Sequence, residues 1–325
     1  MLVTTTNYQL LVSQNDIEKN YPGYSHAAVP VLISHDSHNY LFFSCRDGNS
    51  RSHVFAARLN SECDNVIEYY KNPLLSPGEL GGFDDSGCMG TSYVRKLDGT
   101  YYFYYIGWNL GVTVPFRNSI GIAKLSFDLG EPMMSKIFSG PVVGRSIHEP
   151  HFVASNDVQF IEGKYHMWYL SCTKWERSTE GITHYYHIKH RISKDGIDWG
   201  NRGNVAVDYI NGSEYAISVP RVVEIDNKYQ MFFSSRGDAE YPYYRIRSAI
   251  STDLEYWERC LNPVIKEGNI PRVDDRMACY PFVANVNGSY KCFYNGDDYG
   301  RTGILTIELR KWNETREPIC SSALL

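Results

Sequence analysis

No run of 18 apolar residues occurs in the 325-residue sequence, so it contains no candidate helical membrane span. No basic stripe is present either. The 32 Lys and Arg and 37 Asp and Glu are mixed along the chain, and the formal charge is −5, which argues against a nucleic-acid surface. Eight cysteines occur without a CxxC pair, so neither a zinc ribbon nor a disulfide framework is indicated. They read instead as small buried hydrophobes in a reducing compartment. The start of the chain, MLVTTTNYQLLVSQNDIEKN, lacks the charged and apolar regions of a signal peptide, so a cytoplasmic location is expected. GxSxG, Walker and Rossmann patterns are absent, and no apolar stretch keeps a 3.6-residue period over a helical length.

What is present is a repeat. An aromatic strand recurs as HNYLFFS, TYYFYYIG, KYHMWYLS, KYQMFFSS and SYKCFYNG. With Asn39, Tyr101, Tyr165, Tyr229 and Tyr290 taken as equivalent, the intervals are 62, 64, 64 and 61 residues. A period of that length built from short strands predicts a propeller-like array. The expected fold is all-β: a single domain over residues 1–325, made of five four-stranded antiparallel blades.

The fourth unit shows the order most clearly. SEYAISVPRVVEI is strand A, Asp226-Asn227-Lys228 a tight turn, YQMFFSS strand B and YRIRSAIS strand C. A short strand D is expected to include Asn262-Pro263-Val264, with Asn72-Pro73 and Gly140-Pro141 as counterparts, because an edge strand tolerates proline. The segment Tyr8–Val12 is expected to complete the last sheet beside Trp312. In this order the start of A, the end of B and the B–C loop share one face, with A innermost.

At that mouth, acids recur ahead of strand A. Asp85, Glu149, Glu214 and Asp275 lie 16, 16, 15 and 15 residues before their anchors. Crowded carboxylates raise one another's pKa, which keeps one acid protonated beside an ionised one. The competing role is structural, with each acid binding backbone N–H groups where blades cross. The ends of strand B carry Arg46-Asp47, Trp108-Asn109, Lys174-Trp175, Arg236-Gly237-Asp238 and Asn295-Gly296-Asp297. Tryptophan beside acids and amides suits a sugar ring and its hydroxyls. Arg46 and Arg236 could hold an anion bidentately or pair with the mouth acids. His26 and His151 stand near strand-A starts. His184, His187 and His190 alternate along a strand, so a zinc site there is not expected. No ligand spacing demands a cofactor; a structural divalent cation, if any, belongs in the central channel.

The segments SHAAVP, PGELGGFDDSGCMGTS, YYIGWN, VPFRNSIGIAKLS, MWYLSCTKW, YHIKHRISKDGIDW, EYAISVPRV, MACYPFV and YNGDDYGRTGI resemble the five-bladed propeller glycosidases. These comprise glycoside hydrolase families 43, 32, 68, 62 and 130. The segments look most like the bacterial family 32 N-terminal-like proteins of polysaccharide gene clusters. The resemblance implies acids at successive inner-strand starts as base or nucleophile, orienting acid and proton donor. Asp85 in FDDSG matches the second-blade acid and Glu149 in HEPH the third, with Glu214 a further donor candidate and Asp275 a further acid. The first blade departs from the pattern, since His26 stands where an aspartate is usual. Three activities stay open: hydrolysis by carboxylate acid/base catalysis; phosphorolysis or transfer, with Arg46, Arg236 and His26 holding the anion; and non-catalytic glycan binding. The implied partner is a carbohydrate, with an anionic one among the options.

Overall fold

A computed structural model describes residues 1–179, 181–237 and 242–311. Its strands are β1 (Leu2–Ser13), β2 (Ser25–His35), β3 (His38–Arg46), β4 (Ser52–Leu59), β5 (Val66–Tyr69), β6 (Gly87–Arg95), β7 (Tyr101–Leu110), β8 (Phe116–Asp128), β9 (Glu131–Lys136), β10 (Val153–Ile161), β11 (Lys164–Ser178), β12 (Gly181–Ser193), β13 (Asn204–Val207), β14 (Ala216–Ile225), β15 (Lys228–Arg236), β16 (Arg245–Ser251), β17 (Glu258–Arg259), β18 (Cys279–Val286), β19 (Ser289–Asn295) and β20 (Gly303–Lys311). One helix, α1 (Gln14–Asn20), follows β1. At seven residues it is too short for an apolar period. Its sequence mark is the capping box in which Ser13 and Asp16 satisfy each other's backbone N–H groups. No helix among the described residues is long and apolar enough to cross a membrane.

Hydrogen bonding groups the strands into one sheet of four and two of eight. Each large sheet is two antiparallel units joined by a single parallel bridge, Ser52 to Gly87 in one and Tyr186 to Ala216 in the other. The antiparallel units are therefore β2–β5, β6–β9, β10–β13, β14–β17 and β18–β20 with β1. In the last unit the N-terminal strand pairs with β20, Tyr8 opposite Ile307 and Val12 opposite Ile304, as the sequence predicts. Trp312 lies outside the described residues. The first strands of the units contact one another in cyclic order: β2 with β6, β6 with β10, β10 with β14, β14 with β18 and β18 with β2.

The hairpins joining first and second strands follow the expected chemistry. Asp226 and Asn227 have φ of 52° and 62°, and Asn287 and Gly288 have 51° and 87°, the left-handed values of a tight two-residue turn. The outer strands differ from expectation. They end before the proline motifs, at Tyr69, Lys136 and Arg259. The residues after each proline instead form isolated bridges, Leu75 to Val54, Val143 to Ile120 and Ile265 to Ile246. Proline thus interrupts the edge ladder instead of sitting within it.

The innermost strands are all irregular. Register shifts interrupt β2, β6, β10, β14 and β18 where they pair with their second strands. Val29, Val219 and Tyr280 take φ of 54°, 49° and 58° at three of these bulges. A β-branched residue in that region costs on the order of 1–3 kcal/mol and persists only where its surroundings enforce it. The enforcement is visible, because each flipped N–H donates to a side chain of a neighbouring unit. Val29 donates to Asn295 Oδ1 at 2.8 Å, Val219 to Ser155 Oγ at 3.0 Å and Tyr280 to Ser234 Oγ at 2.7 Å.

Candidate sugar site at the strand ends

These bulges border a cavity of about 420 Å³ lined by residues of all five units. It opens where the second strands end and the third strands begin, the face the strand order assigns to the mouth. Arg46 and Ser52 reach it from the first unit, Trp108 and Asn118 from the second, and His184 and Tyr186 from the third. Arg236 and Tyr244 come from the fourth unit, and Tyr280 and Tyr299 from the fifth. Trp108 is held by its Nε1, which donates to Ser52 Oγ at 2.7 Å and ties the first two units together. Behind the wall, Trp175 packs on Phe116, Phe152 and His184, and so supports the cavity without lining it. Burial, with the nearby Arg236 charge, pushes the His184 pKa down to about 4. The ring is therefore neutral near pH 7, and its Nδ1 is buried without a partner.

The recurring acids do not meet at this cavity, and none of them lines it. Each of four units instead holds one acid internally by hydrogen bonds, and three of the four also pair it with a cation. Glu149 accepts from Tyr169 OH at 2.7 Å and from Ser171 Oγ, both on β11, and from Lys189 Nζ at 3.1 Å and Arg191 Nη2 at 3.2 Å on β12. Burial raises the Glu149 pKa, but the Ser171 and Tyr169 hydroxyls and the Lys189 charge outweigh it and hold the carboxyl below its ordinary value. Glu214 accepts from Ser235 Oγ on β15, from Ile210 N at 2.8 Å, and from both terminal nitrogens of Arg259 at 2.6 and 2.8 Å. Its pKa is likewise lowered, chiefly by Arg259 acting against burial.

In the second and fifth units the buried equivalents are Asp84 and Asp274, one residue before the acids singled out in the sequence. Asp84 accepts from Tyr105 OH at 3.0 Å and Lys136 Nζ at 2.6 Å. Asp274 accepts from Tyr294 OH at 3.1 Å and Ile270 N at 2.7 Å. Their neighbours in the doublets point elsewhere. Asp275 is exposed and accepts from Arg272 N at 3.0 Å. Asp85 is half-buried and accepts from Gly81 N at 3.0 Å and Ser86 Oγ at 2.9 Å. Asp85 faces no cation in any ion pair among the described residues. It stands near Trp108, since Ser86 N donates to the Trp108 carbonyl.

The strand-end residues divide the same way. Arg46, Trp108 and Arg236 line the cavity. Asp47 folds the β3–β4 loop, pairing with Arg51 at 2.9 Å and His53 at 3.3 Å. Asn109 Nδ2 donates to the Gly82 carbonyl at 2.8 Å. Lys174 is exposed, paired with Glu176 at 3.1 Å and set over the Tyr185 ring. Asn295 is buried, donating to the Ala27 and Gly303 carbonyls as well as receiving Val29 N–H. Asp297 Oδ1 accepts from the Arg276 and Met277 N–H groups. Asp238 lies outside the described residues.

His26 has φ of 65° and places Nδ1 2.9 Å from Ser25 Oγ. Burial, then the charges of Arg46 and Arg301, push its pKa down to about 4. Neither it nor the half-buried His151 lines the cavity. His187 meets Asp208 at 3.1 Å and His190 meets His166 at 3.0 Å, so the three histidines of β12 stay apart. Among the described residues no group of three or more His, Cys, Asp or Glu could hold a metal ion.

The four cavity tyrosines and His184 were not found as site residues from the sequence. Tyr244 and Tyr299 sit in loops, where 26 tyrosines give no pattern to single them out.

No family model matches the chain. The uncharacterized protein Rv1502 of Mycobacterium tuberculosis (strain ATCC 25618 / H37Rv) is 34% identical over 283 residues, covering 86% of this chain and 91% of its own. A β-1,2-mannobiose phosphorylase of Thermoanaerobacter sp. (strain X514) is 31% identical over 110 residues, 32% of this chain and 36% of its own. Among solved structures, a glycoside hydrolase superposes with a TM-score of 0.74 at 17% identity, over 100% of this chain and 95% of that one. A thermostable family-43 glycoside hydrolase gives 0.64 at 14% identity, over 94% and 96%. At such identities the likeness is one of fold. The chain has the fold of the propeller glycosidases and belongs to the same protein family as Rv1502.

Proposed function

We propose that residues 1–325 form a single five-bladed β-propeller that acts on a glycosidic bond of a glycan or sugar conjugate, bound in the cavity at the strand ends. The observation that carries this reading is the cavity itself. Its wall draws on all five units, and Trp108 and the tyrosines offer flat faces to a sugar ring. Hydroxyls of Ser52, Tyr244 and Tyr299 can meet those of a sugar. The phosphorylase and hydrolase relatives point to the same class of chemistry.

Asp85 is the acid we assign to proton transfer, acting beside Trp108 on a glycan that extends past the cavity wall. It is the half-buried acid of the four, and it forms no ion pair among the described residues. Glu149 and Glu214 hold their units together and position the strand ends, because their cations keep them ionised. Turnover of a panel of oligosaccharides and nucleotide sugars tests the reading. Wild-type protein should release product, and Asp85→Asn should not. A panel with no turnover, alongside tight sugar binding, would favour a non-catalytic glycan-binding propeller.

Phosphorolysis is the second reading. A cavity lined by two arginines and, among the described residues, by no carboxylate suits an attacking phosphate, and the 110-residue match to a phosphorylase supports it. Product formation that requires inorganic phosphate would select it over hydrolysis.

A further inference from the structure

Three guanidiniums of this fold are paired with well-buried acids. Arg191 meets Glu149 at 3.2 Å, Arg221 meets Asp157 at 2.7 Å and Arg259 meets Glu214 at 2.6 Å. The two cavity arginines differ. Among the described residues neither Arg46 nor Arg236 forms an ion pair, and none of those that line the cavity is a carboxylate. Arg236 is enclosed by aromatic rings instead. Its guanidinium lies 4.6 Å from the Tyr244 ring centroid and 5.5 Å from that of Tyr215, and Nη1 donates to Tyr299 OH at 2.8 Å. Its Nε is buried with no hydrogen-bond partner, as is Nδ1 of the cavity-lining His184. Removing a guanidinium from water without a counter-ion is costly, and a guanidinium held this way in the wall of a ligand-sized cavity is suited to an anionic group on the bound molecule.

Resting on the glycosidic reading above, we propose that the cavity takes a sugar that carries its own oxyanion, a carboxylate or a phosphate ester, with Arg236 as the main counter-ion and Arg46 as the second. The distribution of charge favours an anion borne by the sugar over a free one. Guanidinium groups match carboxylate and phosphate oxygens in a planar fork. The remaining wall is largely apolar, with Val29, Met89, Ile106, Phe152 and Leu170 beside Trp108. A sugar acid matches this wall, since its C–H faces cover apolar surface while one group carries the charge. Free phosphate would occupy a small part of 420 Å³ and leave the apolar wall wet.

The test is titration calorimetry with matched probes: D-glucuronate against D-glucose, D-galacturonate against D-galactose, D-glucose 6-phosphate, N-acetylneuraminate and inorganic phosphate. At least one acidic sugar should bind tenfold or more tightly than its neutral counterpart. Arg236→Gln should lower the acidic sugar's affinity tenfold or more and the neutral sugar's by far less, and Arg236→Lys should restore part of that difference. Thermal melts establish that each variant is folded; if Arg236→Gln is not, Arg46→Gln and Tyr299→Phe carry the comparison with smaller losses. Equal binding of acidic and neutral sugars throughout the panel would overturn the proposal. So would inorganic phosphate binding as tightly as any acidic sugar and competing with it, which would assign the arginines to a free anion. Turnover of acidic and neutral glycans alike by Arg236→Gln at the wild-type rate would remove this inference and leave the glycosidic activity standing. Arg236-dependent binding of acidic sugars without turnover would do the reverse.

Discussion

Arg191 Nη2 donates to Glu149 Oε1 across 3.2 Å, and both residues are almost fully buried. They lie 42 residues apart in the chain, on β12 and just ahead of β10. The contact assigns Glu149 a role that its spacing alone left open. Removing one member of a buried, hydrogen-bonded pair strands the other, at a cost of about 3–5 kcal/mol. Glu149→Gln should therefore lower unfolding stability by that order in denaturant titrations. Asp85→Asn, which leaves no cation unpaired, should change stability by less than about 1 kcal/mol while lowering turnover by orders of magnitude.

The same carboxylates set an acid limit. Glu149 and Glu214 have folded pKa values below the ordinary glutamate value of 4.5. A depressed carboxyl contributes stability that is present above the unfolded value and disappears as pH falls through the folded one. Stability should therefore drop as pH falls below about 4.5. His184, lowered to about 4 from 6.5, adds to the loss from a higher pH, because the unfolded chain takes up that proton first. Denaturant midpoints between pH 7 and pH 4 check both effects. His184→Phe should flatten the upper part of the curve, and a curve unchanged in that variant would contradict the assignment.

Gly87 leaves no room for a side chain beside the cavity tryptophan. A Cβ there would stand 2.3 Å from Trp108 Nε1, 2.2 Å from Ser52 Oγ and 2.7 Å from the Ser52 backbone nitrogen. Gly87→Ala must separate the first and second units or turn Trp108 away. An overpacking cost of about 1–3 kcal/mol is expected, together with weakened sugar binding in calorimetry. Trp108→Phe keeps the ring face but loses the bond to Ser52, and should bind more tightly than Trp108→Ala.

Strand β1 covers the outer side of β20 along its length, from Leu2 opposite Lys311 to Ser13 opposite Gly303. Deleting residues 1–12 would expose the ladder groups of β20 as an open edge. The truncated chain should aggregate on sizing columns and lose amide protection across β18–β20 first. A monomeric product with native protection would refute this role for the strand.

Several features of this architecture were legible in residues of the chain. The hairpin doublets Asp226-Asn227 and Asn287-Gly288 mark turns because their residue types accept the left-handed backbone. Alternation along β12 sets His187 apart from His184 and His190, and His187 meets Asp208 while His190 meets His166. Three features were not legible. In Asp84-Asp85 and Asp274-Asp275 the doublet offers two acids, and only the folded turn decides which one faces Tyr105 or Tyr294. The cations that neutralise Glu149 and Glu214 arrive from strands 40 to 45 residues later, a pairing that spacing within one repeat does not reveal. Tyr280 lies on a bulge, and Tyr244 and Tyr299 lie outside the strands, where no strand period operates.

The central claim is that the cavity joining all five units is where a glycosidic bond is handled. Product release from an oligosaccharide and nucleotide-sugar panel, measured for wild type, Asp85→Asn and Trp108→Ala, tests it most directly. The account predicts turnover by wild type and its loss in both variants, with melting temperatures that remain close to that of wild type in Asp85→Asn. Wild-type rates in both variants would contradict it.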